Sequence, residues 1–224
     1  MRPYGKLMAL WLLTLLWGCS NTILVPVPPR MDLKPYGTIG LIQFTTNSDP
    51  TMNAFATQQF QEHVQGAYPG TPILELGSKN AVLAAVGGTT FDAETMTKIG
   101  KKYGVSAVFI GEIVYSDPKT DIRIADITKL NGTMRTEIRG DVSGKLMETQ
   151  VGASVWSSSA WTKRQIGGVS VSPKRGVSTT IGDSNPRKDM VPALMFHLTE
   201  DFRQKMVRQR VNEQATDNGL KKEK

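Results

Sequence analysis

An α/β fold is what this sequence predicts: a single domain with a mixed β-sheet flanked by helices, antiparallel strands in the second half and a C-terminal amphipathic helix. Three observations predict it. Two compact apolar runs, "GTIGLIQFT" (37–45) and "VSAVFIGEIVY" (105–115), have the length and composition of buried strands. The segments between them repeat apolar residues every three or four positions, the period of helices. Beyond residue 116 a hairpin signal lies between polar, strand-like stretches, which points to antiparallel sheet.

The elements follow in order. After the first strand comes the polar turn "TNSDPT". Met52, Phe55, Ala56, Phe60, Val64 and Ala67 then make one face of a helix over 52–67. "YPGTP" ends that helix, and "ILELG" (73–77) is a second strand. Ser78 is placed to cap a short helix, "KNAVLAAVG", by accepting from its free N–H groups. Asp92 is a second N-cap, with a hydrophobic staple between Phe91 and Met96. Met96, Ile99 and Tyr103 form that helix's face, and Gly104 suits its left-handed C-terminal position.

The strand 105–115 opens the second half. Asn131-Gly132 is the best hairpin signal, because both residues tolerate positive φ. It is expected to join "IRIADITKL" (122–130) to "TMRTEIRGDVSGKLM" (133–147). Residues 148–153 form a turn before "SVWSSSAW". The stretch 163–185 reads as either a loop or a hairpin. The last helix is expected from 189 to 210, with Val191, Leu194, Met195, Leu198, Phe202 and Met206 as its stripe. Asp201 and Lys205 are spaced there for an i,i+4 pair, and Pro192 fits only in the first turn. Arg203, Arg208 and Arg210 fall near the end, where the helix dipole favours cations.

The N-terminus reads as an address. Arg2 and Lys6 precede the apolar run "LMALWLLTLLW" (7–17). A spanning helix needs about 20 apolar residues, so this run is a signal-peptide core, with 1–18 as the signal. The chain's one cysteine, Cys19, comes directly after Gly18. With no second cysteine there is no internal disulfide. Residues 20–36 hold four prolines and read as an extended tether that starts at Cys19. The folded domain is expected over 37–211, with a polar tail at 212–224. Removing 1–18 takes away two of the 27 basic residues and none of the 20 acids, leaving 25 − 20 = +5. That surplus is either only a solvated surface or a mark of anionic headgroups or cell-wall polymers as partners, not of nucleic acid. Lys163, Arg164, Lys174, Arg175, Arg187 and Lys188 are the candidate interaction surface.

Little in the sequence carries enzyme chemistry. His63 and His197 each lie beside a helix's apolar face, without a Cys, His or acid at zinc-ligand spacing. No nucleophile elbow, zinc-protease motif or P-loop occurs. Gly87-Gly88-Thr89-Thr90 lacks the further glycine or lysine of a phosphate loop. Glu112, Asp117, Asp121 and Asp126 are spaced as strand-end acids, not as a glycosidase pair. No metal, cofactor or catalytic residue is expected. A cleft with convergent acids around Glu112 and Asp126 would point instead to an enzyme acting on cell wall or lipid.

Two resemblances add to this reading. "L-W-G-C" (16–19) resembles the lipobox of bacterial lipoproteins, which implies cleavage before Cys19, fatty acyl chains such as palmitate on it, and, with Ser20 next, sorting to the outer membrane. "IGKKYGVSAVFIGEI" (99–113) and "METQVGASVWSSS" (147–159) resemble the curli-secretion-lipoprotein superfamily, which includes curli transport lipoproteins and activators of penicillin-binding proteins. That resemblance implies an α/β domain at the periplasmic face of the outer membrane that works by contact with other envelope proteins, in assembly or secretion. It also implies alternatives: a subunit of an oligomeric secretion channel, or an activator of a peptidoglycan synthase. Channel members cross the membrane with apolar hairpins. The corresponding segments here, 116–135 and 157–182, carry Lys119, Asp121, Arg123, Asp126, Lys129, Lys163, Arg164, Lys174 and Arg175, and no clean alternation is expected of them.

Overall fold

The computed structural model describes residues 22–126, 131–172, 174–181 and 185–210. The chain divides into two units. One is a two-stranded antiparallel ribbon of β1 (Thr22–Val27) and β10 (Lys205–Arg210). The other is a body over Pro29–Arg203.

The body is α/β, as expected. Its sheet runs β4 (Ile73–Gly77), β2 (Ile39–Ile42), β5 (Ala107–Tyr115), β7 (Asn131–Glu148), β8 (Ser154–Ser172) and β9 (Gly176–Ile181). A short β3 (Thr45–Thr46) continues β2's path beside β5, and β6 (Lys119–Asp126) pairs with β7. The first half is parallel (β4, β2 and β5) and the second half antiparallel.

Helices α1 (Pro50–Ala67) and α4 (Pro186–Leu198) build the larger core with one face of the sheet. Met52, Ala56, Phe60 and Val64 of α1 and Met190, Val191, Leu194, Met195 and Leu198 of α4 pack with Phe109, Ile113, Val142 and Leu146. Rings carry much of this contact. Phe109 lies 5.0, 6.0 and 5.8 Å, centroid to centroid, from Phe60, Trp156 and Phe202. Phe44 lies over Gly111, where a Cβ would stand 2.1 Å from the ring, so this contact needs glycine. A smaller core of Ile42, Val82, Met96, Ile99, Val105 and Val108 sits under α2 (Lys79–Val86) and α3 (Ala93–Tyr103).

The expected caps are present. Asp92 Oδ1 accepts from Thr95 N at 2.8 Å, Ser78 Oγ from Ala81 N at 3.4 Å, and Gly104 ends α3 at φ 67°. Helix α1 begins earlier than its apolar stripe, because Asp49 caps it and Pro50 suits its first position.

Three expectations are corrected. The final helix does not reach 210. It ends at Leu198, where Thr199 Oγ1 turns back to donate to the Met195 carbonyl at 2.7 Å. A single turn, Glu200–Phe202, then brings Phe202 onto Trp156. Burying that ring overrides the helical spacing that continues to Met206. Asp201 and Lys205 therefore do not share a helix; Asp201 instead pairs with Arg30 at 3.6 Å and accepts from Trp156 Nε1 at 3.3 Å. Pro192 is inside α4 and not in its first turn.

The second correction concerns the hairpin. It exists, but Asn131 and Gly132 lie in strand β7, opposite Asp126 and Ile124. The connection at 127–130 lies outside the described residues. A turn at Asn131-Gly132 would have set Ile122 against Asp141 and Ile124 against Arg139. The observed register sets Ile122 against Met134 and keeps the apolar side chains together.

The third concerns the limits of the body. It begins at Pro29, not at 37: Leu33 is fully buried, and Tyr68 Oη donates to the Met31 carbonyl at 2.5 Å. Residues 22–27 of the expected tether are a strand. For the described residues of 163–185, the open choice resolves as the hairpin of β8 and β9.

Candidate functional site

The feature that sequence reasoning missed is the far end of the sheet. β7 and β8 run on past the helices. There, 131–137 of β7 and 165–172 of β8 join β6 and β9 in a four-stranded antiparallel wing. Its registers sort every side chain. Thr120, Ile122 and Ile124 of β6, Met134 and Thr136 of β7, Val169 and Val171 of β8, and Val177 and Thr179 of β9 share one face. No charged residue is among them. Lys119, Asp121 and Arg123 of β6 and Arg135 and Glu137 of β7 occupy the other face, with Ser170, Ser178 and Thr180.

Side-chain contacts agree with the register. Thr120 and Thr136 hydroxyls meet at 3.0 Å on the uncharged face, and Arg123 pairs with Asp121 at 2.9 Å on the charged one. Ile122, Ile124, Met134 and Val177 are open to solvent, Ile124 at 66% and Val177 at 68%, while Val169 and Val171 are half-buried. Along β7 this face continues the core face, since Met134, Thr136 and buried Ile138 have the same parity. A bulge opposite Thr136/Glu137 lets β8 keep its apolar residues on that side.

Within the wing, over the described residues of 119–137 and 167–180, the alternation not expected of 116–135 and 157–182 is present; it does not extend to Arg164, which shares the side of buried Ile138. Lys119, Asp121 and Arg123 lie on the polar face, and Lys174 and Arg175 in the β8–β9 turn. Lys163 and Arg164 sit lower on β8 beside the core half, opposite Arg139 and Ile138. Asp126 lies at the end of β6 opposite Asn131.

The six basic residues expected to form one surface lie on three elements; Lys174 and Arg175 stand apart, while Arg164 pairs with Asp189 beside Arg187 and Lys188. Lys163 and Arg164 are neighbours on β8 and point to opposite faces, Arg164 reaching Asp189 at 3.7 Å. Lys174 and Arg175 occupy the turn. Arg187 and Lys188 belong to the first turn of α4. There the Lys188 ammonium lies 5.0 Å from the Phe55 ring and the Arg187 guanidinium 5.8 Å from Tyr115. Tyr115 Oη donates to the Arg187 carbonyl at 3.1 Å. Burial pushes that phenol up to about 12, with the Arg187 charge opposing the shift. Cys19 lies outside the described residues.

The clefts of the body have no convergent acids. One of about 220 Å³, at the end of β2 and beside the middle of β5 and its β7 partner, is lined by Gln43, Thr45, Lys79, Glu112, Ser143 and Lys145. Another, of about 350 Å³, lies beside it against α1, with Gln43, Gln58 and Glu75. Glu112 and Asp126 are far apart: their β7 partners, Ser143 and Asn131, are separated by roughly 40 Å of strand. His63 sits at the α1–α4 junction, its ring 6.1 Å from Phe196. Burial holds His63 below the usual imidazole value, and the nearby Arg203 charge adds to this. Among the described residues no group of His, Cys, Asp or Glu is assembled to hold a metal, and no helix is long and apolar enough to cross a membrane.

No family model and no curated protein matches this chain. Solved structures do resemble it. A PelC dodecamer from Paraburkholderia phytofirmans is 10% identical, covering 81% of this chain and 97% of that one, with a TM-score of 0.41. A putative neuraminyllactose-binding hemagglutinin homolog from Helicobacter pylori is 7% identical over 73% of this chain and 82% of that one, at 0.45. A lipoprotein from Neisseria meningitidis is 16% identical over 58% of this chain and 83% of that one, at 0.32.

Proposed function

We propose that this chain is a lipoprotein of the outer membrane, held on the periplasmic face by acyl chains on Cys19, that works by binding envelope neighbours and not by transforming a substrate. The observation that supports this most is the wing. It exposes one uncharged face and two outer edges, β6 and β9, each paired on one side only among the described residues. Open strand edges beside an exposed apolar face are a template for another chain. A catalytic reading has no comparable support, because the acids that would serve it lie apart.

Photo-crosslinking in intact cells tests the proposal. A crosslinker at Ile122 or Val177 is expected to capture envelope proteins, and one at Lys101 on α3 to capture few. Absence of wing adducts from a correctly anchored protein overturns it. For the anchor, Cys19→Ala is expected to leave an unprocessed or soluble chain; a variant that still fractionates with outer membrane removes that part of the reading.

The same wing favours a second reading. Pairing β9 of one copy with β6 of the next would be antiparallel and would join the wings of an oligomer into one continuous sheet. Uncharged residues would then face lipid and charged residues the lumen, the alternation of a membrane barrel. Extraction in mild detergent as a large ring, by native mass spectrometry, would support this; extraction as a monomer would leave the contact reading alone.

A further inference from the structure

The β1–β10 ribbon has a composition and a position in the chain that the wing does not explain. We infer that this ribbon is a membrane-contact element that lies on an anionic phospholipid leaflet beside the lipid anchor. The inference rests on the reading of Cys19 as acylated.

Four observations carry it. The first is chain length. Only Ser20 and Asn21 separate Cys19 from Thr22, so the two Cα atoms are at most about 11 Å apart. If Cys19 carries acyl chains, β1 starts at the headgroups. The second is the pairing. Thr22 opposes Arg210 and Val27 opposes Lys205, so β10 is brought back along the whole of β1.

The third is apolar exposure on both faces. Ile23, Val25, Val27 and Val207 share one face; Leu24, Pro26 and Met206 share the other. Leu24 is 62% and Met206 66% exposed. A two-stranded ribbon is marginal in water on its own, and side chains of this kind are stabilised where lipid tails meet headgroups.

The fourth is charge. The charged residues of the two strands are Lys205, Arg208 and Arg210, all cations. Long basic side chains reach headgroups while their stems stay in apolar surroundings. A second copy of the ribbon is a poor occupant, since it would set these cations against their own kind. An anionic leaflet complements them.

The experiment uses the acylated full chain in vesicles of phosphatidylethanolamine with about one-third phosphatidylglycerol. Acylation consumes the single native thiol, so a fluorophore can be placed at Leu24→Cys, Val207→Cys or, as a control on the body, Val151→Cys. Brominated acyl chains are expected to quench the label at 24 or 207 several-fold more than the label at 151. Ribbon labels that both remain unquenched, on protein whose Cys19 is acylated by mass spectrometry, overturn the inference and leave the anchor standing. A bare thiol at Cys19 overturns the anchor reading and the inference with it.

A second measurement does not depend on labels. Each basic residue at an anionic surface changes partition roughly fivefold. The unacylated chain over 20–224 with Lys205→Glu and Arg208→Glu is therefore expected to bind phosphatidylglycerol vesicles at least about 20-fold more weakly. Binding unchanged by the double substitution overturns the inference.

Discussion

The two halves of the β7–β8 pair obey the same alternation and live in different surroundings. In the core half, Val142 and Leu146 face α4 and α1 and are buried, while Ser143 and Lys145 face outward. In the wing half, Met134 and Val169 hold the same side of the sheet, and no helix of the described body covers them. The difference teaches that one amphipathic pattern can serve stability at one end of a strand and association at the other. Which role it plays depends on whether a second layer arrives.

That contrast sets an order of expected effects. Phe109→Ala removes the ring at the centre of the core and is expected to lower stability by about 3–5 kcal/mol, read by urea denaturation of the chain over 20–224. A loss under about 1 kcal/mol would mean the core half tolerates cavities as the wing should. Gly111→Ala puts a methyl group into the Phe44 ring and is expected to cost about 1–3 kcal/mol in the same assay.

Tyr115 sharpens the comparison through pH. Its phenol is raised by burial, so its contribution is intact below the ordinary value of about 10 and is lost as pH rises towards about 12. The urea midpoint of the parent should fall across that window, and Tyr115→Phe should remove this part of the fall. Asp92 gives the acid counterpart. The Thr95 backbone N–H, then the Thr95 and Thr90 hydroxyls, hold its carboxyl below the usual range. The capping contribution is present above the ordinary carboxylate value and fades as pH drops through the lowered one. Asp92→Asn should flatten that part of the acid limb.

The smallest stability effect belongs to the wing. Ile122→Ser with Val177→Ser should shift stability by no more than about 0.5 kcal/mol per site, while reducing crosslinked envelope partners or the oligomer. A large loss of stability from this pair would show that the wing is a covered core and would erase the contrast.

Much of the body was legible because its signals are local. Phe91, Asp92, Met96 and Gly104 mark both ends of α3 within fourteen residues. The apolar run 105–115 can scarcely be anything but a buried strand. The wing was not legible for a specific reason. Asn131-Gly132 is the strongest turn pair in the chain, and centring the hairpin there scrambles the faces, so the charges seem to fall everywhere. Only the paired register puts Arg135 and Glu137 on the side that Lys119, Asp121 and Arg123 already share. The end of α4 was hidden because Leu198, Phe202 and Met206 continue the helical spacing past the point where Phe202 is needed against Trp156. The basic residues 163–188 looked like one surface because they are close in sequence; the β8–β9 turn carries Lys174 and Arg175 away, while Arg164 stays beside the start of α4 through Asp189. The ribbon left no local trace, since its strands lie almost two hundred residues from each other.

That separation has a consequence in time. If the chain is exported N-terminus first, as the proposed anchor on Cys19 requires, β1 is delivered about 180 residues before β10. On that proposed route the ribbon cannot close until residues 205–210 arrive, so its closure is governed by the slow search of distant segments. A translation product truncated before residue 205 would keep every strand and helix of the body yet leave β1 unmatched, so a closed ribbon would report that residues 205–210 had been made and delivered.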